Sequence, residues 1–200
     1  MSKQINFIYA ADEYYNKQLL ISISSLLEQF SGIAKIHIIH KNPSSFIQKL
    51  QEIDSSDKLD QLNIYEFKES KVLFPNIEGT HISEATYYRL FVDKYIPKDV
   101  TEYVYLDADI ICLSDPYDYL KSNIDTLLNS SFSFSARTEL IRDNNKDKFL
   151  QLGLSGDKYF NAGVLIVNHT DWLTKNVYSE LIKHIDIIKN NIEFWDQDVL

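Results

Sequence analysis

Two carboxylates directly after an apolar segment are the sharpest chemical feature of this 200-residue sequence. Asp107 and Asp109 flank Ala108, and residues 102–106 before them are rich in Tyr and Val, which predicts a strand. Because alternate residues of an extended chain face the same way, we expect the two carboxylates to converge. Carboxylate oxygens suit Mg²⁺ or Mn²⁺, cations that can also hold the phosphates of a substrate. The pattern therefore predicts a metal site, and a solvated turn is the alternative.

Two further segments combine polar groups with small or acidic neighbours. Asn161 offers both a hydrogen-bond donor and an acceptor, and Ala162 and Gly163 after it allow a ligand to approach the backbone closely. Residues 196–198, Asp-Gln-Asp, place two more carboxylates near residue 200. From the residues alone, an ordinary strand start is the better explanation of the Asn161 segment. For residues 196–198, an acid-rich helix N-terminus is as good an explanation as a functional site.

Single polar residues elsewhere have simpler interpretations when taken one at a time. Asp12 follows the first predicted strand, and we expect it to share a cleft with Asp107 because ligand groups collect at the ends of parallel strands. His81 precedes a predicted helix as a capping or surface residue, and Arg89 lies within that helix as a salt-bridging one. His169 is interpreted as a surface residue.

The composition excludes several classes of protein. The sequence has 20 Lys and Arg against 29 Asp and Glu, a net charge of −9, which argues against a nucleic-acid binder. Its five glycines cannot form a P-loop or a G-x-G-x-x-G motif, so a bound phosphate would not lie in a glycine loop. No stretch approaches the ~20 apolar residues of a membrane helix, and the N-terminal apolar stretch is too short for a signal peptide. We therefore expect a cytoplasmic protein without a transmembrane segment.

The elements that must position these residues follow from hydrophobic periodicity. The first 70 residues alternate strands with helices, and this order predicts a parallel sheet covered by helices. The predicted strands are 5–11, 35–40 and 62–67, and the predicted helices are 15–30 and one that opens at Pro43. The remainder contains a helix at 83–95 capped by Ser83, strands at 102–106, 132–136 and 162–168, a loop at 137–158 and a helix at 174–190. No repeat or linker divides the chain, so we expect one domain over residues 1–200.

Taken together and in order, the polar segments resemble glycosyltransferase family 8, which includes bacterial lipopolysaccharide galactosyl- and glucosyltransferases and glycogenin. The resemblance covers essentially the whole chain and rests on Ala10-Ala11-Asp12, His81-Ile82-Ser83, Tyr87-Tyr88-Arg89-Leu90, Tyr105-Leu106-Asp107-Ala108-Asp109, Phe160-Asn161-Ala162-Gly163-Val164 and Asp196-Gln197-Asp198. It implies a GT-A fold, a single Rossmann-like α/β/α domain with a mostly parallel sheet. It also implies transfer of galactose or glucose, with retention of anomeric configuration, from a UDP-sugar to a glycan, glycolipid or glycosylated-protein acceptor.

The resemblance also implies roles for individual residues. Asp107 and Asp109 would ligate Mn²⁺, or Mg²⁺, that bridges the UDP diphosphate, with Ala108 beside the nucleotide sugar. The uracil and ribose would lie against Ala11 and Asp12, and the nucleotide along His81 and Ile82. The donor sugar would lie near the set formed by Arg89, Asn161, Ala162, Asp196 and Gln197, with Gln197 on the face opposite the leaving group. Asp198 is a candidate nucleophile, since an amide such as that of Gln197 is a poor one, and Glu139 is a candidate sugar-binding acid.

The sequence departs from the family pattern at two places. Tyr14 occupies a position where some relatives have Asn, which changes one expected nucleotide contact. The family pattern continues to a His-x-x-Gly-x-x-Lys-Pro-Trp segment, which supplies a third metal ligand and a diphosphate-binding Lys, and these 200 residues do not contain it. We therefore expect the chain to be a fragment of the family domain with weak or no turnover, whose full-length form is peripheral to the membrane if it associates with one.

Two other functions are compatible with parts of the pattern. A phosphatase of the haloacid dehalogenase type also uses an Asp-x-Asp pair with Mg²⁺, but that pair usually follows the first strand and not one near residue 107. A non-catalytic fragment that binds UDP and metal would use the same residues without turnover. Binding of UDP with a metal, followed by an assay of UDP-hexose hydrolysis, separates these alternatives.

Overall fold

The computed structural model describes residues 4–48, 50, 56–69, 74–75, 83–140, 150–153 and 158–200. Six strands form one sheet in the order β3-β2-β1-β4-β6-β5, with β1 Gln4–Ala11, β2 Ile33–His40, β3 Leu59–Glu66, β4 Glu102–Leu106, β5 Phe134–Leu140 and β6 Lys158–Asn168. β1 pairs in parallel with β2 and β4, and β2 with β3, whereas β6 runs antiparallel to both β4 and β5. The predicted, mostly parallel α/β sheet is confirmed.

Helices connect these strands and cover the sheet. They are α1 Asn16–Gln29, α2 Pro43–Ile47, a long 3₁₀ helix Glu84–Lys94, α3 Tyr117–Leu128, α4 His169–Thr174, α5 Val177–Ile188 and α6 Asp196–Val199. Ser83 caps the 3₁₀ helix as predicted, because its hydroxyl accepts the Ala85 N–H at 3.2 Å. None of the helices in the described part of the chain is long and apolar enough to cross a membrane.

The elements predicted from periodicity are largely confirmed, although the helix predicted at 83–95 is a 3₁₀ helix. Helices α3 and α4 were not predicted, although Leu120, Ile124 and Leu127 are buried at helical spacing along α3. Helix α2 begins at Pro43, as predicted, and ends at Ile47. Strands β5 and β6 extend into both ends of the predicted 137–158 loop, because they pair with each other beyond the apolar core.

Alternation along β1 builds a hydrophobic core on each face of the sheet. Phe7 and Tyr9 pack on one side with α1 and α3, while Ile8 and Ala10 pack on the other with the 3₁₀ helix and α5. Successive side chains of a strand point to opposite faces, so a strand covered by helices on both sides is apolar throughout. The result is a single three-layer α/β/α arrangement.

The order of the strands creates a crevice beside β1. The chain moves outward from β1 to β2 and β3, then returns to place β4 on the other side of β1. Ligands of open α/β sheets bind outside the carboxyl ends of the strands where the strand order reverses in this way. Ala11 ends β1 and Asp107 follows β4, so both lie at this reversal.

Three histidines are buried in or beside the sheet. The interpretation of His169 as a surface residue is wrong, because its side chain is fully buried at the start of α4 and Nδ1 donates to the Val100 carbonyl at 2.7 Å. His40 Nε2 lies 2.8 Å from Asn16 Oδ1, and His37 stacks on Tyr65. Burial lowers the pKa of all three rings, that of His37 from 6.5 to about 4, so all are neutral in the folded protein at pH 7.

We expect the folded protein to lose stability as pH falls from 6.5 towards 4. Between these pH values the histidines of the unfolded chain bind protons, whereas the buried rings of the folded protein stay neutral. Each such ring therefore lowers the free energy of unfolding by about 1.4 kcal/mol per pH unit. Urea denaturation at pH 7 and pH 4.5 measures the loss. His37→Phe keeps a ring against Tyr65, but this ring cannot be protonated. Between pH 7 and pH 4.5 the variant should therefore lose less unfolding free energy than the control His184→Phe on α5. Equal losses in the two variants would contradict the assignment to His37.

Candidate active site

A pocket of about 160 Å³ opens at the carboxyl ends of β1 and β4, beside the start of the 3₁₀ helix. Its lining combines small residues with the acidic pair, and consists of Ala10, Ala11, Tyr15, Ser83, Ala85, Thr86, Arg89, Tyr105, Asp107, Ala108 and Asp109. The small side chains of β1 leave backbone accessible to a ligand. The pocket thus brings together five of the predicted site residues, which are Ala11, Arg89, Asp107, Ala108 and Asp109.

Asp107 is the half-buried carboxylate of the pair. Its backbone N–H donates to the Gly163 carbonyl at 2.8 Å, which continues the pairing of β4 with β6 past the end of the strand. Its Oδ1 accepts hydrogen bonds from Arg89 Nη2 at 2.6 Å and from the Tyr105 hydroxyl at 3.3 Å. These contacts fix the orientation of the Asp107 side chain, of which 33% is exposed to the pocket.

Asp109 lines the same pocket from a turn and not, as predicted, from an extended chain. The strand ends at Leu106, and the chain turns at once, with the Ile110 N–H donating to the Asp107 carbonyl at 3.2 Å. The expectation of two carboxylates alternating on an extended chain is therefore wrong, because Asp109 lies in the turn. The turn leaves Asp109 exposed at the mouth, where a cation or a phosphate has access to it.

Arg89 is buried at the centre of the site, with only 7% of its surface exposed. Nη2 pairs with Asp107, Nε lies 2.7 Å from Asp196 Oδ2, and Nη1 donates to the Ala162 carbonyl. Its guanidinium also stacks on the Tyr105 ring, with Cζ 4.4 Å from the ring centroid. Burial opposes its charge, but the neighbouring carboxylates outweigh burial and raise the pKa of Arg89. Arg89 therefore connects Asp107 to the segment 196–198.

The 3₁₀ geometry explains how two residues of this helix reach one carboxylate. With three residues per turn, positions i and i+3 lie one above the other, so Thr86 and Arg89 share a face. The Thr86 hydroxyl donates to Asp196 Oδ1, and Arg89 pairs with Oδ2. Burial raises the pKa of Asp196 to about 6, although Arg89 and Thr86 act in the opposite direction. Asp196 is thus held firmly inside the protein, with 3% exposed.

The other two residues of the segment 196–198 are fixed by β6 and by the preceding turn. Gln197 Oε1 accepts the Ala162 N–H at 3.1 Å. Asp198 is buried, and its Oδ2 accepts the N–H groups of Glu193 and Phe194 at 2.7 and 2.8 Å. Because these bonds commit Asp198 to closing the turn, its geometry favours a positioning role over that of a nucleophile.

Gly163 provides room for Asp107. A Cβ atom at this position would lie 2.8 Å from Asp107 Oδ2 and 3.0 Å from Asn161 Oδ1. Real Cβ atoms do not approach so closely, so only glycine leaves both side chains where they are. Asn161 is exposed, and its Oδ1 accepts the Gly163 N–H at 2.9 Å.

The remaining predicted residues that the structure describes do not line this pocket, and the expected place of Asp12 in a cleft with Asp107 is not seen in its lining. Asp12 is buried and caps a 3₁₀ turn, since its Oδ1 accepts the Tyr14 N–H at 3.0 Å, and Tyr14 itself is 81% exposed. Glu139 is exposed on β5, opposite Tyr159 of β6. His81 and Ile82 lie outside the described residues.

A comparison with protein families decides the assignment of the chain. The model of glycosyl transferase family 8 matches residues 6–200. The chain belongs to glycosyltransferase family 8. A putative glycosyltransferase of Haemophilus influenzae is 29% identical over 205 residues, which cover 100% of this chain and 59% of that protein. The lipopolysaccharide glucosyltransferase WaaO of Escherichia coli K12 is 31% identical over 127 residues, or 59% of this chain and 35% of that protein. The chain thus spans little more than half the length of the first of these relatives.

Solved structures confirm the GT-A fold of this family 8 chain. The galactosyltransferase LgtC, crystallised with donor and acceptor sugar analogues, superposes with a TM-score of 0.78 at 21% identity. The superposition covers 98% of this chain and 69% of LgtC. Family membership, and the position of the acidic pair after β4 instead of β1, argue against the phosphatase alternative.

Three residues of this family 8 site were not predicted from the sequence. Thr86 lies three residues before Arg89, a spacing that would have placed it on the same face had a 3₁₀ helix been foreseen. Tyr105 alternates with Asp107 along β4, which is a signal that strand periodicity contains. Tyr159 contacts Asp198 from 39 positions away, and no local pattern indicates such a contact.

The donor set fits a divalent cation held jointly with a ligand. Asp107 Oδ2 faces the space that Gly163 keeps open, and Asp109 is exposed at the pocket mouth. No cluster of three or more His, Cys, Asp or Glu side chains that could hold a metal occurs in the described residues. Mg²⁺ and similar cations are commonly held by one or two carboxylates together with substrate phosphates and water. Asp107 and Asp109 match that type of site.

Proposed function

We propose that this family 8 protein transfers a hexose, galactose or glucose, from a UDP-sugar to a glycan or glycolipid acceptor with retention of configuration. The observation that carries the proposal is the Asp107 and Asp109 pair at the mouth of the pocket between β1 and β4, in a chain of this family. Lipopolysaccharide glucosyl- and galactosyltransferases among its relatives support hexose transfer to a cell-surface glycan.

The charges of the pocket support a metal-assisted reaction. Within the described lining the one cationic side chain, Arg89, is already paired with Asp107 and Asp196. A UDP diphosphate beside these carboxylates would be repelled unless a cation lay between them. Mn²⁺ or Mg²⁺ held by Asp107 and Asp109 would supply that charge and stabilise the diphosphate as it leaves.

The protein groups around the donor sugar have separate proposed tasks. Ala11 offers a small surface for the nucleoside, and Asp12 holds the adjoining turn in place. Exposed Asn161 is proposed to bind sugar hydroxyls, with the buried residues Ala162 and Asp196 also near the sugar. Gln197 is proposed to lie against the sugar on the face opposite UDP. His81 and Ile82 remain proposed nucleotide contacts from the family resemblance.

Calorimetric titration with UDP in the presence and absence of Mn²⁺ tests this proposal. We expect Mn²⁺ to strengthen UDP binding at least about tenfold, since charge-assisted contacts to phosphate are strong. Asp109→Ala should lose most of that gain, because the exposed carboxylate is removed without disturbing the buried network. The control Asp118→Ala removes an exposed carboxylate from α3 and should bind like wild type.

The outcome separates the remaining alternatives. Metal-independent UDP binding that is unchanged in Asp109→Ala would contradict the role of the acidic pair. Hydrolysis of UDP-galactose and UDP-glucose then identifies the donor and reports turnover. UDP and Mn²⁺ binding without turnover of either donor would indicate a non-catalytic binding unit.

A further inference from the structure

The backbone immediately before the segment 196–198 adopts an unusual conformation. Trp195 has φ of 48° and ψ of −121°, and Asn176 is the other non-glycine residue with positive φ in the described part of the chain. A positive φ in a bulky residue is a genuine outlier, which persists only where the surrounding structure enforces it. Because Asp196 and Gln197 follow directly, whatever holds Trp195 also sets the positions of these two side chains.

Asp198 and Tyr159 together hold this turn. Asp198 Oδ2 accepts the N–H groups of Glu193 and Phe194, which closes the turn on itself. Asp198 Oδ1 accepts the Tyr159 hydroxyl at 2.5 Å, which fastens the closed turn to β6. All these contacts are protected from water, since Asp198 is 6% and Tyr159 is 7% exposed. Charge-assisted hydrogen bonds of this kind are the strong ones in proteins.

Gln197 lies directly between the two ends of this anchored segment, Asp196 and Asp198. Its Oε1 accepts the Ala162 N–H at 3.1 Å, which fastens the amide to β6 at one end. Because Gln197 and Asp198 are adjacent in α6, a displacement of the Asp198-closed turn also displaces the Gln197 amide.

We propose that Tyr159 is a positioning residue for Gln197, acting through its hydroxyl bond to Asp198, which attaches the turn before Gln197 to β6. The inference rests on the proposed transferase function, in which Gln197 faces the donor sugar. The Gln197 amide has both Nε2 hydrogens and a second Oε1 lone pair to offer a sugar. Without the Tyr159 hydroxyl, the turn loses this attachment to β6 and the Gln197 amide can move with it.

Tyr159→Phe removes the hydroxyl and keeps the ring, which packs against Phe160 and Phe194 at centroid distances of 5.6 and 6.2 Å. We expect kcat for UDP-hexose turnover to fall about 10- to 100-fold, as for other misplaced reacting groups. UDP binding with Mn²⁺ should stay within about twofold of wild type, because Tyr159 does not line the nucleotide pocket. The control Tyr95→Phe removes a hydroxyl that accepts the Lys68 N–H and does not line the pocket, and should leave kcat unchanged.

A double variant distinguishes positioning from a general structural role. If Tyr159 acts through Gln197, then Tyr159→Phe should reduce kcat no further when Gln197→Ala is already present. Independent, multiplicative effects of the two substitutions would overturn the proposal.

NMR spectroscopy tests the position of the Gln197 amide without requiring turnover, so it does not depend on the proposed function. In ¹⁵N NMR spectra the Gln197 side-chain amide is assigned by its disappearance in Gln197→Ala. We expect its resonances to shift and to exchange faster with water in Tyr159→Phe, but not in Tyr95→Phe. Unchanged Gln197 resonances in Tyr159→Phe would overturn the positioning role. If the wild-type protein turns over no UDP-hexose while Tyr159→Phe still shifts the Gln197 resonances, only the proposed function is refuted.

Discussion

Arg89→Ala is expected to destabilise the protein by about 3–5 kcal/mol, as removal of one partner of a buried ion pair does elsewhere. Arg89 is the shared partner of Asp107 and Asp196, and the variant leaves the buried Asp196 carboxylate without its counter-charge. Asp196 already has a pKa of about 6 because of burial, and losing Arg89 removes a group that lowers it. We therefore expect Asp196 to be protonated in the folded variant near neutral pH, and transfer to be lost.

The pH dependence of this loss has a definite sign. A carboxyl whose folded pKa is raised above its unfolded value binds more protons in the folded state, so its contribution to stability is lost as pH rises. The stability of Arg89→Ala should therefore fall further from pH 5 to pH 8 than that of wild type. Urea denaturation at the two pH values measures this difference.

Two further variants identify the cause. Arg137→Ala removes an exposed arginine from β5 and should change stability by less than about 0.5 kcal/mol. Arg89→Met combined with Asp196→Asn removes both buried charges and should recover part of the loss, because the remaining amide needs no counter-ion. A loss in Arg89→Ala no larger than that in Arg137→Ala would show that the buried pairs do not stabilise the fold.

The fold could be predicted from the sequence wherever one short segment contains the whole signal. The continuous apolar run of β1 and the period of α1 report burial directly, since each element packs with its own side chains. The order of such elements then restricts the sheet to a mostly parallel one.

The site was predictable in its residue types but not in its connections. Asp107, Asp109 and Arg89 were identified one by one, yet the sequence does not show that Arg89 binds both Asp107 and Asp196. That arrangement depends on the 3₁₀ helix and on β6, which come together only after folding. The turn at Asp109 is likewise set by where the pairing of β4 with β6 stops. The sequence therefore identifies candidate groups, and the tertiary contacts decide which of them meet.

Gly163→Ala is expected to reduce sugar transfer about 100-fold, because small displacements of reacting groups have effects of this size. The new Cβ atom would lie 2.8 Å from Asp107 Oδ2, and Asp107 cannot retreat without breaking its bonds to Arg89 and Tyr105. The carboxylate must rotate or the β4–β6 pairing must shift, at a cost of about 1–3 kcal/mol. Either movement misplaces the proposed metal ligand, so Mn²⁺-dependent UDP binding should weaken at least about tenfold.

Gly153→Ala is the matched control, since it adds the same methyl group to the same chain. Gly153 has φ of +80° with nothing within 4 Å of a Cβ atom, so the substitution costs about 1–2 kcal/mol through backbone strain alone. Its UDP binding with Mn²⁺ should match wild type. The two variants are expected to lose similar amounts of stability. Calorimetric titration with UDP and Mn²⁺ then shows whether only Gly163→Ala weakens binding. Wild-type UDP affinity in Gly163→Ala would mean that Asp107 does not need its present orientation, and that the cation is held by other groups.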